Sequence, residues 1–244
     1  MQNPKLEKIT LSIIIPVFNE ENTIINILNE IKYLNKFAKL EIIVVNDGST
    51  DETKELIYKN KNLYSKLIDF KHNKGKGKAV VEGIKKSTGE YIIIQDADLE
   101  YDPKDIEKFI NTIKKNSADC IMGSRFTANE RSVLNFWHMV GNKFITLIFN
   151  IFNNTAFTDI YCCYCLFKRK LINPENLKSN GWGQQAEILT YVVRNSVKIY
   201  EIAVNYNGRT YDDGKKIRYY NVIEVLYWIL SAKIKVLFKL IKLN

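Results

Sequence analysis

Apolar and polar positions follow one another in blocks along the first hundred residues. Short apolar runs are typical of strands buried on both faces, and each is followed by a polar turn. Between the first two runs, Ile24, Ile27, Leu28, Ile31 and Leu34 recur at helical spacing. Strands are expected at residues 11–18, 41–45, 67–70 and 91–95. Their alternation with helices across short connections predicts an α/β fold with a doubly wound, parallel sheet.

The second half of the chain has a less regular pattern. It predicts strands at residues 119–125, 161–168 and 198–206, and helices at 136–152, 184–194 and 219–243. In the last helix one face carries the apolar residues Leu226, Leu230, Ile234, Leu237 and Ile241. The opposite face carries Lys235, Lys239 and Lys242, which is an interfacial amphipathic pattern. The alternative is a helix packed on the protein's own core or on a dimer partner.

Acidic side chains collect where the expected strands end. Asp47 follows the second strand, and Asp96, Asp98 and Glu100 follow the fourth. In open α/β sheets, ligands bind at this carboxyl edge. Two carboxylates one residue apart on a bend can converge on a hard cation such as Mg²⁺ or Mn²⁺ and leave positions for a diphosphate. The alternative is a solvated acidic loop that caps a helix.

A basic, glycine-rich turn at residues 74–78 precedes the third helix. It lacks the Gly-Lys-Ser/Thr ending of a phosphate-binding Walker loop and the spacing of a dinucleotide fingerprint. Its lysines, among them Lys74 and Lys78, are candidates for neutralising a phosphate at the helix N-terminus. A solvated basic turn is the equal alternative.

Charge and cysteine content narrow the class of partner and the compartment. The 36 basic and 27 acidic residues give a net charge of +9, which indicates an anionic partner: a nucleotide, a phospholipid surface or nucleic acid. The cysteines at 120, 162, 163 and 165 are interpreted as small core residues of a reducing compartment. The N-terminus has no secretory signal pattern, and no apolar run reaches about 18 residues, so we expect a cytoplasmic location.

Four motifs in order resemble the family 2 glycosyltransferases. They are Ile-Ile-Pro-Val-Phe-Asn-Glu-Glu at 14–21, Val-Val-Asn-Asp-Gly-Ser-Thr-Asp at 44–51, Gln-Asp-Ala-Asp-Leu-Glu-Tyr-Asp-Pro at 95–103 and Gly-Ser-Arg-Phe at 123–126. Together with segments at 158–159, 163–167 and 207–211, they are most similar to the dolichyl- and polyprenyl-phosphate sugar synthases. The resemblance covers about residues 10 to 220. It implies a GT-A fold with the nucleotide-sugar site at the carboxyl edge of the strands.

The resemblance also implies a role for each motif residue. The nucleoside of a GDP- or UDP-sugar would be held by Pro16, Phe18, Glu20 and Asp47. Asp96 and Asp98 would hold a divalent metal and the diphosphate, with Glu100 as a further ligand, and Arg125 would face the acceptor phosphate. On this basis residues 1–218 form the catalytic domain. Residues 219–244 form the amphipathic helix, which would attach the protein to the cytoplasmic face of a membrane.

The acceptor remains open between two kinds of group. A polyprenyl phosphate is already anionic and needs cations for positioning, for which Arg125, Arg209, Lys215 and Lys216 are candidates. A glycan hydroxyl needs a general base, for which Asp159 and Glu187 are candidates. A third hypothesis is a non-catalytic basic module that binds membranes or nucleic acid. The acids at the strand ends and the lack of an RNA-binding signature of strand aromatics argue against nucleic acid.

Overall fold

The structure, a computed structural model, describes residues 8–128, 130, 133, 135–208 and 221–241. Within these ranges, one mixed sheet is flanked by helices. The strands are β1 Thr10–Val17, β2 Lys39–Asn46, β3 Lys66–Asp69, β4 Tyr91–Ile94, β5 Cys120–Ser124, β6 Cys165–Lys168 and β7 Ile199–Ala203. The helices are α1 Ile24–Ile31, α2 Thr53–Lys59, α3 Lys76–Lys86, α4 Ile106–Asn116, α5 Phe136–Asn153, α6 Gln184–Asn195 and α7 Asn221–Ile241.

The strand order across the described sheet is β3-β2-β1-β4-β6-β5-β7. The pairs β1–β2, β1–β4, β2–β3 and β5–β7 are parallel, whereas β6 runs antiparallel to both of its neighbours. Two reversals leave β5 parallel to β4. The carboxyl ends of all strands except β6 therefore lie at the same edge of the sheet, which confirms the predicted doubly wound, mostly parallel architecture.

The expected strand at 161–168 is half wrong, because pairing begins only at Cys165. The preceding residues are a buried turn. The Tyr164 carbonyl still accepts from the Gly123 amide of β5, but other backbone groups of the turn bind side chains. The Cys163 amide donates to the Tyr101 hydroxyl, and the Gln185 side-chain amide donates to the carbonyls of Ile160 and Cys162. All four cysteines are buried free thiols, in agreement with the core role predicted for them.

Helix α7 contacts α5 and α6 along one face, where Val225, Ile229 and Ala232 are fully buried. Its opposite side exposes four large side chains: Ile223, Tyr227, Leu230 and Ile234. The predicted apolar stripe is thus split, with Leu230 and Ile234 exposed and Leu226 half-buried. The structure does not describe the side chains of the other predicted members, Leu237 and Ile241. The same holds for the lysines predicted on the opposite face, from residue 235 onward. Across the described ranges, every helix is too short or too polar to span a bilayer.

Candidate active site

The acidic loop that follows β4 is a tight bend. Its Leu99 has a φ of +61°, a left-handed conformation that a leucine rarely adopts. The Glu100 amide donates to Asp98 Oδ1 at 3.1 Å, which closes the bend. Burial, and then the neighbouring charges of Asp96 and Glu100, raise the pKa of Asp98 to about 7. The loop is therefore a concentration of negative charge that a cation stabilises.

The donor set of this loop suits a hard divalent cation. Asp96, Asp98 and Glu100 supply carboxylate oxygens, which Mg²⁺ and Mn²⁺ prefer. In the described part of the chain, no three acidic, histidine or cysteine side chains already stand in a ligand arrangement. One or two carboxylates plus substrate phosphates are a usual way of holding Mg²⁺. The loop therefore fits a metal that arrives together with a diphosphate.

Lys76, at the start of α3, reaches into this loop. Its Nζ lies 2.6 Å from Asp96 Oδ1 and 2.8 Å from Oδ2. Burial opposes the charge of the ammonium, but Asp96 and other nearby negative groups outweigh it and raise the pKa of Lys76 above its usual value. The other two lysines of the basic turn point elsewhere: Lys74 Nζ lies over the Phe70 ring and Lys78 pairs with Glu82.

Asp47, at the end of β2, is 3 % exposed and fastens the basic turn to the sheet. Its Oδ1 accepts from the Lys74 amide at 2.7 Å and its Oδ2 from the Gly75 amide at 3.0 Å. Burial raises the pKa of Asp47, and these hydrogen bonds oppose that rise. At Gly48, with a φ of +72°, a Cβ would stand 2.5 Å from the His72 backbone, so the turn approaches β2 too closely for any side chain.

The loop after β1 is tied to the start of α2. The Glu20 amide donates to the Thr53 hydroxyl at 2.8 Å, and its carboxylate accepts from Thr23. Phe18 is half-buried at this edge. Pro16 is buried within β1, opposite Val45 of β2. Phe18, Glu20 and Asp47 therefore share the sheet edge that carries the acidic loop, whereas Pro16 shapes that edge from inside the sheet.

Arg125, just after β5, forms a buried fork with Asp159. Its Nε and Nη2 donate to the two carboxylate oxygens at 2.7 and 2.9 Å, and the side chains are 9 % and 0 % exposed. The Asp159 carboxylate also accepts from the amides of Arg125 and Tyr161. The guanidinium lies 5.2 Å from the Tyr206 ring, and Tyr206 donates to Glu100. Tyr206 thus joins this ion pair to the acidic loop.

Glu187, on α6, is completely buried and accepts hydrogen bonds from the backbone of the loop before that helix. Its Oε2 accepts from the amides of Lys178 and Ser179 at 2.9 and 2.8 Å. The next residue, Asn180, accepts from the Gly77 amide at 2.9 Å. Glu187 therefore holds the loop that braces the basic turn, and its oxygens point into the protein.

Comparison with known proteins agrees with this geometry. The sequence model of glycosyl transferase family 2 matches residues 12–173, about two thirds of the chain. The chain belongs to this family. Two relatives of this family 2 glycosyltransferase are dolichyl-phosphate beta-glucosyltransferases, from Dictyostelium discoideum and Saccharomyces cerevisiae. Both are 33% identical to it; the matches cover 88% and 82% of this chain and 71% and 68% of the relatives.

Solved structures similar to this family 2 glycosyltransferase share its GT-A fold. One is glucosyl-3-phosphoglycerate synthase from Mycobacterium tuberculosis in complex with Mn²⁺, UDP and phosphoglyceric acid. Its TM-score is 0.67 at 16% identity, over 92% of this chain and 78% of the other. Another is mannosyl-3-phosphoglycerate synthase from Rubrobacter xylanophilus, with a TM-score of 0.65 at 17% identity, over 95% and 74%. At these identities the likeness concerns the fold alone.

The structure brings most of the predicted residues of this family 2 glycosyltransferase to one edge. Sequence reasoning missed Lys76 and Tyr206. The basic turn was recognised, but its alternating glycines and lysines gave no reason to choose Lys76 over its neighbours. Helical spacing distinguishes these lysines, because the side chains of residues two apart at the start of α3 point about 200° apart around the helix axis. Lys76 and Lys78 therefore face opposite ways.

Proposed function

We propose that this chain catalyses the inverting, metal-dependent transfer of a sugar from a nucleotide-sugar donor to a polyprenyl phosphate of the dolichyl type, at a membrane surface. One observation carries the choice of acceptor. Both carboxylates predicted as bases for a hydroxyl acceptor are buried and bound internally, Asp159 by Arg125 and Glu187 by two backbone amides. A phosphate acceptor needs no base, because it is already ionised.

The names of the two relatives support the same acceptor, since both are glucosyltransferases of dolichyl phosphate. The reaction forms a bond between an acceptor phosphate oxygen and the anomeric carbon. It breaks the bond from that carbon to the donor's diphosphate, which leaves with the electron pair as a nucleoside diphosphate. Attack opposite the leaving group inverts the anomeric configuration. Charge develops on the leaving oxygen, and fixed cations stabilise it best where water is excluded.

Asp96 and Asp98 would hold the metal, with Glu100 as a further ligand. A bound divalent cation supplies electrostatic stabilisation of the leaving diphosphate. The chain's own contribution is positional. Asp47 fixes the basic turn beside the acidic loop, and the Arg125–Asp159 pair supports that loop from the side of Tyr206. Arg125 as a contact of the acceptor phosphate stays a prediction, and Arg209, Lys215 and Lys216 lie outside the described residues.

Attachment to a membrane is supported by the exposed apolar side chains of two helices in contact. On α7 these are Ile223, Tyr227, Leu230 and Ile234, and α5 adds Phe136, Trp137, Phe144, Leu147 and Ile151. Exposed apolar patches of this kind mark contact surfaces. The net charge of +9 favours an anionic leaflet. We assign the cytoplasmic face, because nucleotide sugars and reduced cysteines are cytoplasmic features.

The decisive experiment offers UDP- and GDP-sugars with a short polyprenyl phosphate, in the presence of Mn²⁺ and of EDTA. We expect a glycosyl lipid phosphate to form only with Mn²⁺. The matched control acceptor is the corresponding polyprenol, which has the same chain and a hydroxyl group. Transfer to the polyprenol or to a glycan, with none to the phosphate, would overturn the choice of acceptor.

Sedimentation with vesicles tests the surface. We expect the parent chain to bind vesicles that contain anionic lipid, less so at high salt, and Leu230→Glu with Ile234→Glu to remove most of the binding. Val197→Glu is the control for an added surface carboxylate, because Val197 is 90 % exposed in the turn before β7. Equal binding of the three proteins would rule out α7 as the point of attachment.

A further inference from the structure

The ion pair between Lys76 and Asp96 lies at the start of the acidic loop. The ammonium bridges both carboxylate oxygens, at 2.6 and 2.8 Å. Asp96 is also one of the residues that would hold the divalent cation. The two side chains are 31 % and 16 % exposed, so water reaches the pair. Lys76 therefore supplies one positive charge to the acidic loop from a position that solvent reaches.

The backbone that carries Lys76 is fixed on both sides. Gly75 and Gly77 lie against the loop at Asn180: a Cβ on Gly75 would stand 2.4 Å from the Asn180 carbonyl oxygen, and one on Gly77 2.6 Å from the Ser179 carbonyl oxygen. The Gly77 amide also donates to Asn180. Only the flexible four-carbon stem of Lys76 is left to move, so its ammonium can leave Asp96 while α3 and the basic turn stay in place.

We propose that Lys76 is an exchangeable counter-cation: it holds Asp96 while the donor is absent, gives way to the divalent cation, and then binds the donor's diphosphate. The inference rests on the proposed function, because it requires a metal and a diphosphate. The ammonium and a divalent cation held by Asp96 would repel each other at this distance, so the metal competes with Lys76 when it binds alone. When the diphosphate is present, the displaced ammonium gains an anionic partner beside the loop. Lys76 then favours the joint binding of the metal and the diphosphate.

The proposal predicts effects of opposite sign in two binding measurements. Free Mn²⁺ is titrated into the protein and followed by its electron paramagnetic resonance signal, first alone and then with saturating UDP. For Lys76→Met we expect Mn²⁺ alone to bind about five- to tenfold more tightly, the size of one partly buried charge pair. With UDP present we expect Mn²⁺ binding to weaken by a similar factor, because the diphosphate has lost a cation.

Lys78→Met is the matched control. It removes the same charge two residues along α3, where Lys78 pairs with Glu82 at 2.9 Å and not with the acidic loop. An increase in Mn²⁺ affinity that both variants show measures the long-range effect of removing a positive charge. The additional increase in Lys76→Met measures the direct competition between Lys76 and the metal. If Lys76→Met is poorly folded, Lys76→Gln replaces it, because glutamine removes the charge and keeps a polar side chain.

Three results would overturn the inference. They are equal Mn²⁺ affinities of the Lys76 and Lys78 variants, a change of the same sign with and without UDP, and a weaker binding of Mn²⁺ alone by Lys76→Met. In each case a parent protein that binds Mn²⁺ with UDP and transfers sugar leaves the proposed function intact. A parent that binds no Mn²⁺ even with UDP would remove the metal-dependent function and this inference together.

Discussion

Replacing Asp159 with asparagine tests whether its carboxylate has a structural role or acts as a catalytic base. Asp159→Asn keeps the size of the side chain but only one acceptor oxygen, whereas the amides of Arg125 and Tyr161 donate to Oδ2 and Oδ1 respectively. It removes the charge that faces the Arg125 guanidinium, which is 9 % exposed. Because an arginine does not lose its proton in a protein, its charge stays buried without a counter-ion.

The size of the effect follows from that burial. Removing one partner of a buried ion pair costs about 3–5 kcal/mol, because the other charge is left uncompensated. For a chain of this size each kcal/mol lowers the melting temperature by about 2–4 °C, so a fall on the order of 10 °C is expected. Arg125→Met in the same chain removes the orphaned charge. The free energy of unfolding of the double variant should therefore fall by about 1–3 kcal/mol less than the combined loss of the two single variants.

The assay is urea unfolding followed by circular dichroism, with transferase activity measured well below the melting temperature of the variant. Glu175→Gln is the matched control: it breaks the exposed pair with Lys85, in which Glu175 is 70 % exposed, and should change the free energy of unfolding by less than about 1 kcal/mol. An Asp159→Asn protein as stable as the parent but inactive would refute the structural role. It would make Asp159 a base and reopen the hydroxyl acceptor.

Three further variants test other parts of the site and the sheet. Asp98→Asn should abolish transfer and leave the circular dichroism spectrum unchanged; near-normal activity in Mn²⁺ would contradict the metal role. Asp47→Ala should weaken nucleoside diphosphate binding about tenfold in calorimetry, because the basic turn loses its two amide contacts. Burial alone would raise the pKa of Glu41, but hydrogen bonds from Lys66, Ser12 and Thr88 outweigh it and hold that pKa at about 2. Its stabilising effect should therefore be complete above pH 4.5, amount to about 1–2 kcal/mol after solvent screening, and disappear as the pH falls towards 2. In an acid titration, Glu41→Gln should lack this component, and identical profiles would exclude it.

The first half of the fold and the acidic loop could be predicted from sequence, because their causes are local. Apolar runs that end in capping residues specify strands and helix starts without reference to distant partners. Asp96 and Asp98 follow directly from the end of β4, and Asp47 from the end of β2. Since parallel strands end at one edge, the order of elements is enough to bring these residues together.

Contacts across the chain could not be read in this way. The partner of Arg125 is 34 residues away, on a turn that pairs with no strand. The sequence offers Glu187 as a candidate base, because nothing in its neighbourhood shows that the amides of Lys178 and Ser179 need an acceptor. The buried turn before β6 has the apolar cysteines and aromatics of a strand, so its composition predicts one. Its pairing is decided by Tyr101 and Gln185, far along the chain.

The reversed strand β6 has a consequence for how the protein is made on the ribosome. β5 ends at Ser124, and its neighbour β6 begins only at Cys165. At about 5–20 residues per second, β5 and the open edge of β4 wait roughly 2–8 s for the strand that joins them. During this interval the nascent chain presents unpaired strand edges, which are templates for association with other chains. Slow codons placed within the intervening stretch would lengthen this exposure, and the same codons placed after residue 168 would not.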